Sequence, residues 1–265
     1  MKPLVPALTL LAQLLAPAAF AASSDWHRAD GADIRLVTSS RAHADGTIRG
    51  ALQIDLKDGW KTYWRDPGDA GVPPSIDVSA STNVEEVALA FPPPHRFDDG
   101  YSIWAGYKEP VALPVTFGVT EAGKPARIEA DIFLGVCEQI CIPVQMHLTV
   151  DPSSPGNAGD DELVDTAFAA APKPADPEHG LEIAEHAGDS FTVVARLPDG
   201  VAVEDLFIAG SESYAVGVPQ RDDSDGTARF QFDISRWTDD DALPPAYFTL
   251  VTSDGAYDGF IDIDY

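Results

Sequence analysis

The sequence predicts an all-β protein: an antiparallel β-sandwich followed by a second, smaller β-domain. Up to Val150 the chain consists of short apolar runs and alternating apolar and polar residues, separated by turns rich in Gly and Pro. This pattern is typical of strands, and several short strands at such spacing favour a sandwich. Helical periodicity is scarce in this part, and the strand pattern resumes after a Pro-rich stretch that follows Val150.

Each predicted strand is a β-prone apolar run bounded by turn residues. In the first domain, residues 23–150, the predicted strands are 32–38, 48–56, 75–78, 84–91, 111–119, 126–134 and 142–150. Residues 151–178 are predicted to be a linker with a short helix at 160–171, which begins with acidic residues and ends before Pro172. In the second domain, residues 179–265, the predicted strands are 181–185, 191–197, 206–208, 228–234, 247–252 and 260–263.

Residues 1–22 have the pattern of a secretory signal peptide. Lys2 precedes an apolar run from Leu4 to Leu15, and Ala19-Phe20-Ala21 is a small-x-small pattern that predicts cleavage after Ala21 or Ala22. A membrane anchor is the alternative, but proline interrupts the run, which is too short to span a bilayer comfortably. No later segment is apolar enough to cross a membrane. We therefore expect an exported mature chain without a membrane span, in the bacterial periplasm, where disulfides form.

The charge excludes some classes of function. The formal net charge is −26, from 43 Asp and Glu against 17 Lys and Arg. Neutralising phosphates requires Lys and Arg, so the composition argues against a nucleic-acid partner. The acidic residues are dispersed, as on a solvated surface. The histidines are scattered without a nucleophile elbow, and there is no Gly-rich phosphate loop, so the sequence indicates neither a hydrolase nor a phosphate-binding site.

The two cysteines, Cys137 and Cys141, lie between two apolar runs that we expect to be paired strands. Extended residues four apart are separated by about 13 Å, whereas a disulfide needs Cα atoms within about 7 Å. A bond between these cysteines therefore requires a turn, which would present a small, accessible disulfide. A ring this short stabilises the fold little, and strain in it raises the reduction potential, so an exchangeable bond is favoured over a structural one.

Metal binding is a third interpretation of the cysteine pair. Met146 and His147 follow closely, and thiolates, a thioether and an imidazole form a soft donor set suited to copper. Neighbouring residues on a strand point to opposite faces, so at most one of these two side chains can join the sulfurs. Redox exchange, a structural disulfide and a copper site of Cys137, Cys141 and either His147 or Met146 all stay open at this point.

Two aromatic segments add candidate residues. On a strand, Trp60 and Trp64 share one face, and Tyr63 lies on the other. The tryptophans are then core residues, an aromatic wall beside the cysteines, or the platform of a non-catalytic binding module. The second segment, residues 92–104, is a Pro-rich stretch that either packs on the sandwich edge or folds over another site. Its aromatic and acidic side chains are Phe97, Asp98, Asp99, Tyr101 and Trp104.

Four motifs, taken together and in order, resemble one known family. They are GWKTYWRDPGDAG at 59–71, FPPPHRF at 91–97, GY at 106–107 running to LPV at 113–115, and CEQICIP at 137–143. They are similar to the N-terminal domain of the DsbD/ScsB thiol:disulfide interchange proteins. The resemblance covers roughly residues 30 to 150, and residues 151–265 are more weakly similar to a second β-domain found in some ScsB-like members.

This resemblance implies an immunoglobulin-like sandwich in the periplasm, without a cofactor, whose cysteine pair exchanges electrons with partner proteins. The implied partners are periplasmic thioredoxin-fold proteins and a separate membrane electron donor, because no membrane-spanning importer follows in this sequence. A cap loop shields the pair in the family. Here it corresponds to Phe97 through Tyr101, with Asp98 and Asp99 as its acids.

The resemblance also implies that Tyr63 and Trp64 lie near the pair, and it favours Cys141 as the sulfur that meets the partner. The sequence departs from DsbD in one respect, because DsbD has a longer stretch between its cysteines. We therefore expect the bend between the cysteines to differ in geometry.

Overall fold

The structure is a computed structural model that describes residues 22–40, 46–68, 71–156, 158–224, 226–237 and 243–263. The predicted signal peptide, apart from Ala22, lies outside the described residues. Ala22 itself is buried, and its carbonyl accepts the backbone N–H of Thr38 at 2.7 Å.

The elements follow one another in the order expected of two β-domains. The strands before the helix are β1 His27–Arg28, β2 Ala32–Thr38, β3 Thr47–Leu56, β4 Thr62–Gly68, β5 Ser75–Asp77, β6 Val84–Leu89, β7 His95–Asp98, β8 Ile103–Tyr107, β9 Val111–Val119, β10 Ile128–Cys137 and β11 Cys141–Val150. Helix α1 is Ala158–Ala170. The strands after it are β12 Lys173–Pro174, β13 Gly180–Ala187, β14 Ser190–Arg196, β15 Val203–Ala209, β16 Tyr214–Val216, β17 Gln220–Asp222, β18 Arg229–Arg236, β19 Ala246–Thr252 and β20 Gly255–Ile261.

The first domain is a sandwich of antiparallel layers. One layer is the sheet β1-β2-β3-β9-β6, and the other consists of the sheets β11-β10-β5 and β4-β8-β7. Every second residue of β11 from Val144 to Val150 is buried, as alternation predicts for a half-buried strand. The layers enclose a common core to which Leu36 and Leu52 contribute from one side and Ile132 and Leu134 from the other.

The second domain has its own pair of sheets. These are β12-β20-β19-β15 and β13-β14-β18-β16, with β17 added to β18. Their facing sides bury a separate core that includes Phe191, Val193, Phe232 and Leu250. The predicted all-β sandwich followed by a second β-domain is thus confirmed.

Helix α1 rests on the first domain. Its apolar side chains Val164 and Ala167 pack against Val37. At its first turn the carboxylate of Asp161 accepts hydrogen bonds from the Ser39 hydroxyl at 3.0 Å and the Ser40 hydroxyl at 2.8 Å. The connection between the domains is therefore attached to the sandwich over this helical part.

The two domains also touch directly. Phe207 of β15 is buried in the core of the first domain, where its ring centre lies 5.8 Å from that of Trp64. The ring of Tyr247 on β19 lies 6.2 Å from the same tryptophan. Because these rings belong to both domains, their hydrophobic cores meet at Trp64.

The predicted strands do not include the sheet β4-β8-β7, and residues 92–104 are predicted only as a Pro-rich stretch on the sandwich edge or over another site. In the structure β4 continues through Pro67 to Gly68, and its register with β8 shifts between Tyr63 and Gly68. Pro is tolerated in strands at edges and bulges, where no ladder hydrogen bond is lost. This irregular sheet packs beside the end of β10, which carries the first cysteine.

Candidate functional site

The cysteine pair closes the β10–β11 hairpin. Cys137 is the last residue of β10 and Cys141 the first of β11, and the antiparallel register sets them opposite each other. Their Cα atoms are 4.1 Å apart and their sulfurs form a disulfide. The three residues of the turn, from Glu138 to Ile140, are exposed. The chain thus makes the turn that a bond between these cysteines requires.

The two cysteines differ in accessibility. Cys137 is 1% exposed, whereas Cys141 is an exposed residue at the start of β11. Cys137 is enclosed because Lys61, the residue before β4, pairs with it: the Lys61 N–H donates to the Cys137 carbonyl at 2.8 Å, and the Cys137 N–H donates to the Lys61 carbonyl at 2.9 Å. A molecule that approaches the disulfide from solvent therefore reaches Cys141 first.

The hydroxyl of Tyr63 lies against both sulfurs. It is 3.0 Å from Cys137 Sγ and 3.2 Å from Cys141 Sγ. Burial, and secondarily the charge of Asp99, raises the pKa of Tyr63, so the hydroxyl keeps its proton at neutral pH. Tyr63 therefore provides a buried hydrogen-bond donor directed at the disulfide.

Two glycines of the sequence motifs make room for this tyrosine. Gly71 has φ of 125°, and a Cβ there would lie 2.5 Å from the Tyr63 ring. A Cβ at Gly106 would lie 2.3 Å from the Thr62 carbonyl oxygen. On the other side of Thr62, its hydroxyl donates to the Gly135 carbonyl at 2.9 Å, which ties β4 to β10. Any larger side chain at either glycine would displace Tyr63 or β4.

Aromatic rings continue outward from Tyr63. Its ring meets that of Trp104 edge-on at 5.7 Å, and Phe97 stacks on Trp104 at 4.3 Å. Tyr63, Trp104 and Cys137 form one buried cluster, and Phe97 packs against it. Phe97 reaches this position because β7 pairs with β8, so that Phe97 lies opposite Trp104 in the register. We call β7 the cap strand and residues 97–101 the cap segment.

The acids of the cap segment shape its turn. Asp98 accepts the Gly100 N–H at 2.8 Å, and Asp99 accepts the N–H groups of Tyr101 at 3.1 Å and Ser102 at 3.0 Å. The hydrogen bonds from Ser102 and Tyr101, rather than the Lys61 charge 3.8 Å away, are the main reason that the pKa of Asp99 is lowered. Tyr101 is fully exposed. The acids therefore satisfy the backbone of the turn.

Two lysines at this site are absent from the candidate residues chosen from the sequence. The Lys61 Nζ lies 4.3 Å from the centre of the Trp104 ring, and the Lys108 Nζ lies 4.2 Å from that of Phe97. Cations over ring faces are attracted by the ring quadrupole. Strand alternation, which puts Lys61 on the face of Tyr63, was the signal that could have identified Lys61.

Trp64 lies on the opposite face of β4 from Tyr63. It is 1% exposed and packs in the core at the contact with the second domain. Trp60 is half-buried and packs against the same core. The structure therefore brings Tyr63 and Phe97 to the disulfide site but sets Trp64 beneath it, and these two tryptophans form no exposed platform.

The donors of the copper interpretation are not brought together. His147 is opposite Asp131 and Met146 opposite Ile132 in the hairpin, six and five residues from Cys141, which corresponds to about 16–20 Å along a strand. Met146 is buried, and the His147 ring nitrogens are instead bonded to Asp131 at 2.9 Å and Glu129 at 2.8 Å. Within the described ranges, no group of three or more His, Cys, Asp or Glu residues is arranged to hold a metal ion.

A disulfide at the tip of a hairpin, with one sulfur exposed and the other enclosed by aromatic side chains, is an arrangement suited to thiol–disulfide exchange. Comparison with known families agrees: the family described as thiol:disulfide interchange protein DsbD, N-terminal, matches residues 34–152. Most of the first domain of this chain is therefore similar to that family.

One solved structure extends the comparison to the second domain. The N-terminal periplasmic domain of ScsB from Proteus mirabilis has a TM-score of 0.72 and 19% sequence identity, over 91% of this chain and 98% of that chain. At this identity the likeness concerns the fold, and it confirms the expected immunoglobulin-like architecture. No curated protein matches the sequence. Among the described residues, no helix has the length and apolar character needed to cross a bilayer.

Proposed function

We propose that this chain is a periplasmic thiol–disulfide exchange protein that passes electrons through Cys137 and Cys141 to or from partner proteins. The observation that carries the proposal is that the two sulfurs differ in exposure although both lie within hydrogen-bond distance of the Tyr63 hydroxyl. Cys141 faces solvent, Cys137 is enclosed, and Tyr63 lies within hydrogen-bond distance of both. Exchange needs an accessible sulfur for attack and a stabilised sulfur to leave.

When the pair accepts electrons, a thiolate of the partner attacks Cys141 Sγ. The Cys137–Cys141 bond breaks, a mixed disulfide forms between the partner and Cys141, and Cys137 leaves as a thiolate. Tyr63 donates a hydrogen bond to this developing charge from 3.0 Å, and hydrogen bonds to ionised groups are the strong ones. The partner's second thiolate then attacks its own sulfur in the mixed disulfide and releases Cys141, so two electrons move to the pair and the partner is oxidised.

When the pair donates electrons, the same steps run in reverse. The Cys141 thiolate attacks a disulfide of the partner, and Cys137 then attacks Cys141 Sγ and releases the reduced partner. Cys137 is suited to this resolving step because the hairpin holds its Cα 4.1 Å from that of Cys141. The relative reduction potentials of the pair and the partner decide the direction.

The cap segment is proposed to regulate access to the pair. Phe97 on Trp104 covers the enclosed side of the disulfide, Asp98 and Asp99 hold the turn, and exposed Tyr101 meets an approaching protein first. Trp64 supports the sheet from the core side. Partners with a reactive dithiol on a thioredoxin fold fit this chemistry, and a separate membrane protein would supply electrons.

Export to the periplasm is part of the proposal. The buried position of Ala22, and the two hydrogen bonds that its carbonyl accepts from Thr38, favour cleavage that leaves Ala22 in the mature chain. N-terminal sequencing of the exported protein is expected to give Ala22 first. A chain that begins at Ser23, or that keeps Lys2, would contradict this expectation.

The test of the function traps the mixed disulfide. The probe is a thioredoxin that keeps only its nucleophilic cysteine, activated with thionitrobenzoate. Reduced wild-type protein is expected to release thionitrobenzoate and then free thioredoxin, because Cys137 resolves the complex. Cys137→Ser is expected to accumulate a covalent complex through Cys141, whereas Cys141→Ser forms none at the same time.

The controls separate redox exchange from a structural bond. The double variant without either cysteine gives the background release of thionitrobenzoate, and circular dichroism checks that each variant is folded. The reduction potential against glutathione is expected to lie above about −300 mV, the value below which disulfides are structural. A lower potential, or equal trapping by Cys137→Ser and Cys141→Ser, would refute the proposed exchange.

A further inference from the structure

The second domain contacts the cap strand through Arg96. Arg96 of β7 forms a two-pronged ion pair with Asp205 of β15, with Nη2–Oδ1 at 3.1 Å and Nε–Oδ2 at 3.3 Å. Its Nη2 also donates to the Leu206 carbonyl at 2.6 Å, and its guanidinium lies 4.6 Å from the centre of the Phe207 ring. Two parallel N–H···O bonds fix the orientation of an arginine more firmly than a single contact.

Arg96 and Phe97 are neighbours on this strand, and their side chains lie on its opposite faces. The Phe97 ring stacks on Trp104 at 4.3 Å, toward the disulfide, while Arg96 reaches the second domain. Because both residues belong to one short strand, we expect a displacement of Phe97 from Trp104 to move Arg96 away from Asp205. Opening of the cap and the contact between the domains are therefore mechanically linked.

The other outer strand of the same sheet is anchored in a similar way. Asp66 of β4, three residues after Tyr63, accepts the Gly210 N–H of the second domain at 2.8 Å. Between these anchors the crevice lined by Ile103, Trp104 and Ile208 has a volume of only about 30 Å³. The sheet that carries Tyr63, Trp104 and Phe97 thus lies firmly against the second domain.

The cap strand needs such support because it is short. It consists of four residues, and its described pairing is with β8 alone. Short edge strands with few contacts open at little cost in free energy. The ion pair with Asp205 adds a contact that the sandwich itself does not provide.

We infer that the second domain acts as a support that sets how often the cap opens, and that Arg96 is the positioning residue through which it acts. This inference rests on the proposed function for its biological meaning. The physical claim is narrower: breaking the contact between Arg96 and Asp205 exposes the enclosed cysteine, Cys137.

The test measures the access of a small reagent to Cys137. In the Cys141→Ser background, Cys137 is the single thiol, and its rate of alkylation by iodoacetamide reports cap opening. Adding Arg96→Ala is expected to raise this rate about tenfold, the effect of losing about 1.4 kcal/mol from the closed state. In the disulfide form of the otherwise wild-type protein, the same substitution is expected to speed hydrogen exchange of the amides of residues 97–104.

Matched variants make the result specific. Asp205→Asn should raise the alkylation rate as much as Arg96→Ala does, and the double variant should not raise it further than either single variant. Arg96→Lys keeps the charge but loses the two-pronged guanidinium contact, so its alkylation rate should be intermediate. The control is Arg236→Ala, which removes a more exposed ion pair with Asp189 inside the second domain, at 2.8 Å. It should leave alkylation and exchange at residues 97–104 unchanged.

The inference fails if Arg96→Ala and Asp205→Asn leave the alkylation rate unchanged, or if Arg236→Ala raises it equally. It also fails if hydrogen exchange accelerates in β15 but not in the cap strand. If Arg96→Ala does not fold, Arg96→Lys and Asp205→Asn supply the same comparison. Failure to trap thioredoxin would refute the exchange function and would leave these measurements unaffected.

Discussion

Each of the two domains buries a tyrosine, but the hydroxyl groups of these tyrosines contact different partners. Tyr63 and Tyr214 are both 1% exposed, and burial is the first cause of the raised pKa of each. Tyr214 donates to the Pro244 carbonyl at 3.0 Å, an ordinary structural bond, whereas Tyr63 lies against two sulfurs. Similar burial therefore accompanies a structural hydrogen bond in the second domain and a contact with the disulfide in the first.

The contact between the domains gives the largest effect expected from this comparison. Phe207 and Phe232 of the second domain are each 2% exposed, but Phe207 lies in the core of the first domain and Phe232 in that of the second. Removing either ring is expected to cost about 3–5 kcal/mol of the free energy of unfolding. We expect calorimetry of Phe207→Ala to show two separated transitions, because the shared core is lost.

Phe232→Ala is the control for this experiment. It should lower the stability of the second domain while the contact at Trp64 remains. If the two variants give the same calorimetric profile, the domains do not stabilise each other through Phe207.

Next in size is the effect of the tyrosine hydroxyl on exchange. Tyr63→Phe removes the hydroxyl 3.2 Å from Cys141 Sγ, the sulfur that attacks the activated thioredoxin as a thiolate. The change is expected to slow thionitrobenzoate release about tenfold, since hydrogen bonds to charged groups contribute about 1.5–3 kcal/mol. Tyr214→Phe, the matched change in the second domain, should leave the rate unaltered. Stopped-flow absorbance measures both, and equal rates for Tyr63→Phe and wild type would remove Tyr63 from the mechanism.

The stability of the two domains at low pH gives a third, smaller expected effect. The pKa of Glu129 is lowered to about 2, first by the hydrogen bond from Thr149 and then by that from Arg127. A lowered folded pKa stabilises the protein above the usual Glu value, and this contribution is lost as pH falls from about 4.5 toward 2. Glu129→Gln should therefore flatten the fall in melting temperature over this window. Glu182→Gln in the second domain, where the carboxylate is largely exposed, is the control.

The smallest effect concerns His147, whose hydrogen bonds to Asp131 and Glu129 raise its pKa. A raised folded pKa contributes stability below the usual His value of about 6.5, and this contribution disappears as pH rises through the folded value. His147 is half-exposed, so solvent screening keeps the change small. His147→Gln should remove a slight decline in melting temperature above pH 6.5. An unchanged decline would show that other groups cause it.

The sequence predicted regular strands well because alternation is a local signal. Strand β9 has the predicted bounds, and the turn at the cysteines follows from the distance that a disulfide allows. The sheet β4-β8-β7 was missed because Pro67 and the prolines at 92–94 are turn signals, and only pairing with distant strands overrides them. For the cap segment, its own pattern left two interpretations open, and only the family resemblance favoured a cap over the cysteine pair.

Contacts between distant parts of the chain could not be predicted. Arg96 and Asp205 are separated by 109 positions, and nothing in either local sequence indicates the other. Trp104 and Lys61 join the site through register and ring stacking, which depend on the assembled sheets. The sequence therefore indicated the two sulfurs and Tyr63 as candidates. The contacts that make one sulfur exposed and the other enclosed could be seen only in the folded structure.

The hairpin that carries the sulfurs has a further consequence for how partners recognise the protein. Ten residues of each strand are paired in continuous register up to the cysteines, so the ladder holds the tip closed without help from the covalent bond. Gaining or losing two electrons should then leave the outline of the molecule almost the same. A docking protein would have to sense the oxidation state through reactivity at one atom, and its departure would be driven by completed chemistry rather than by a change of shape.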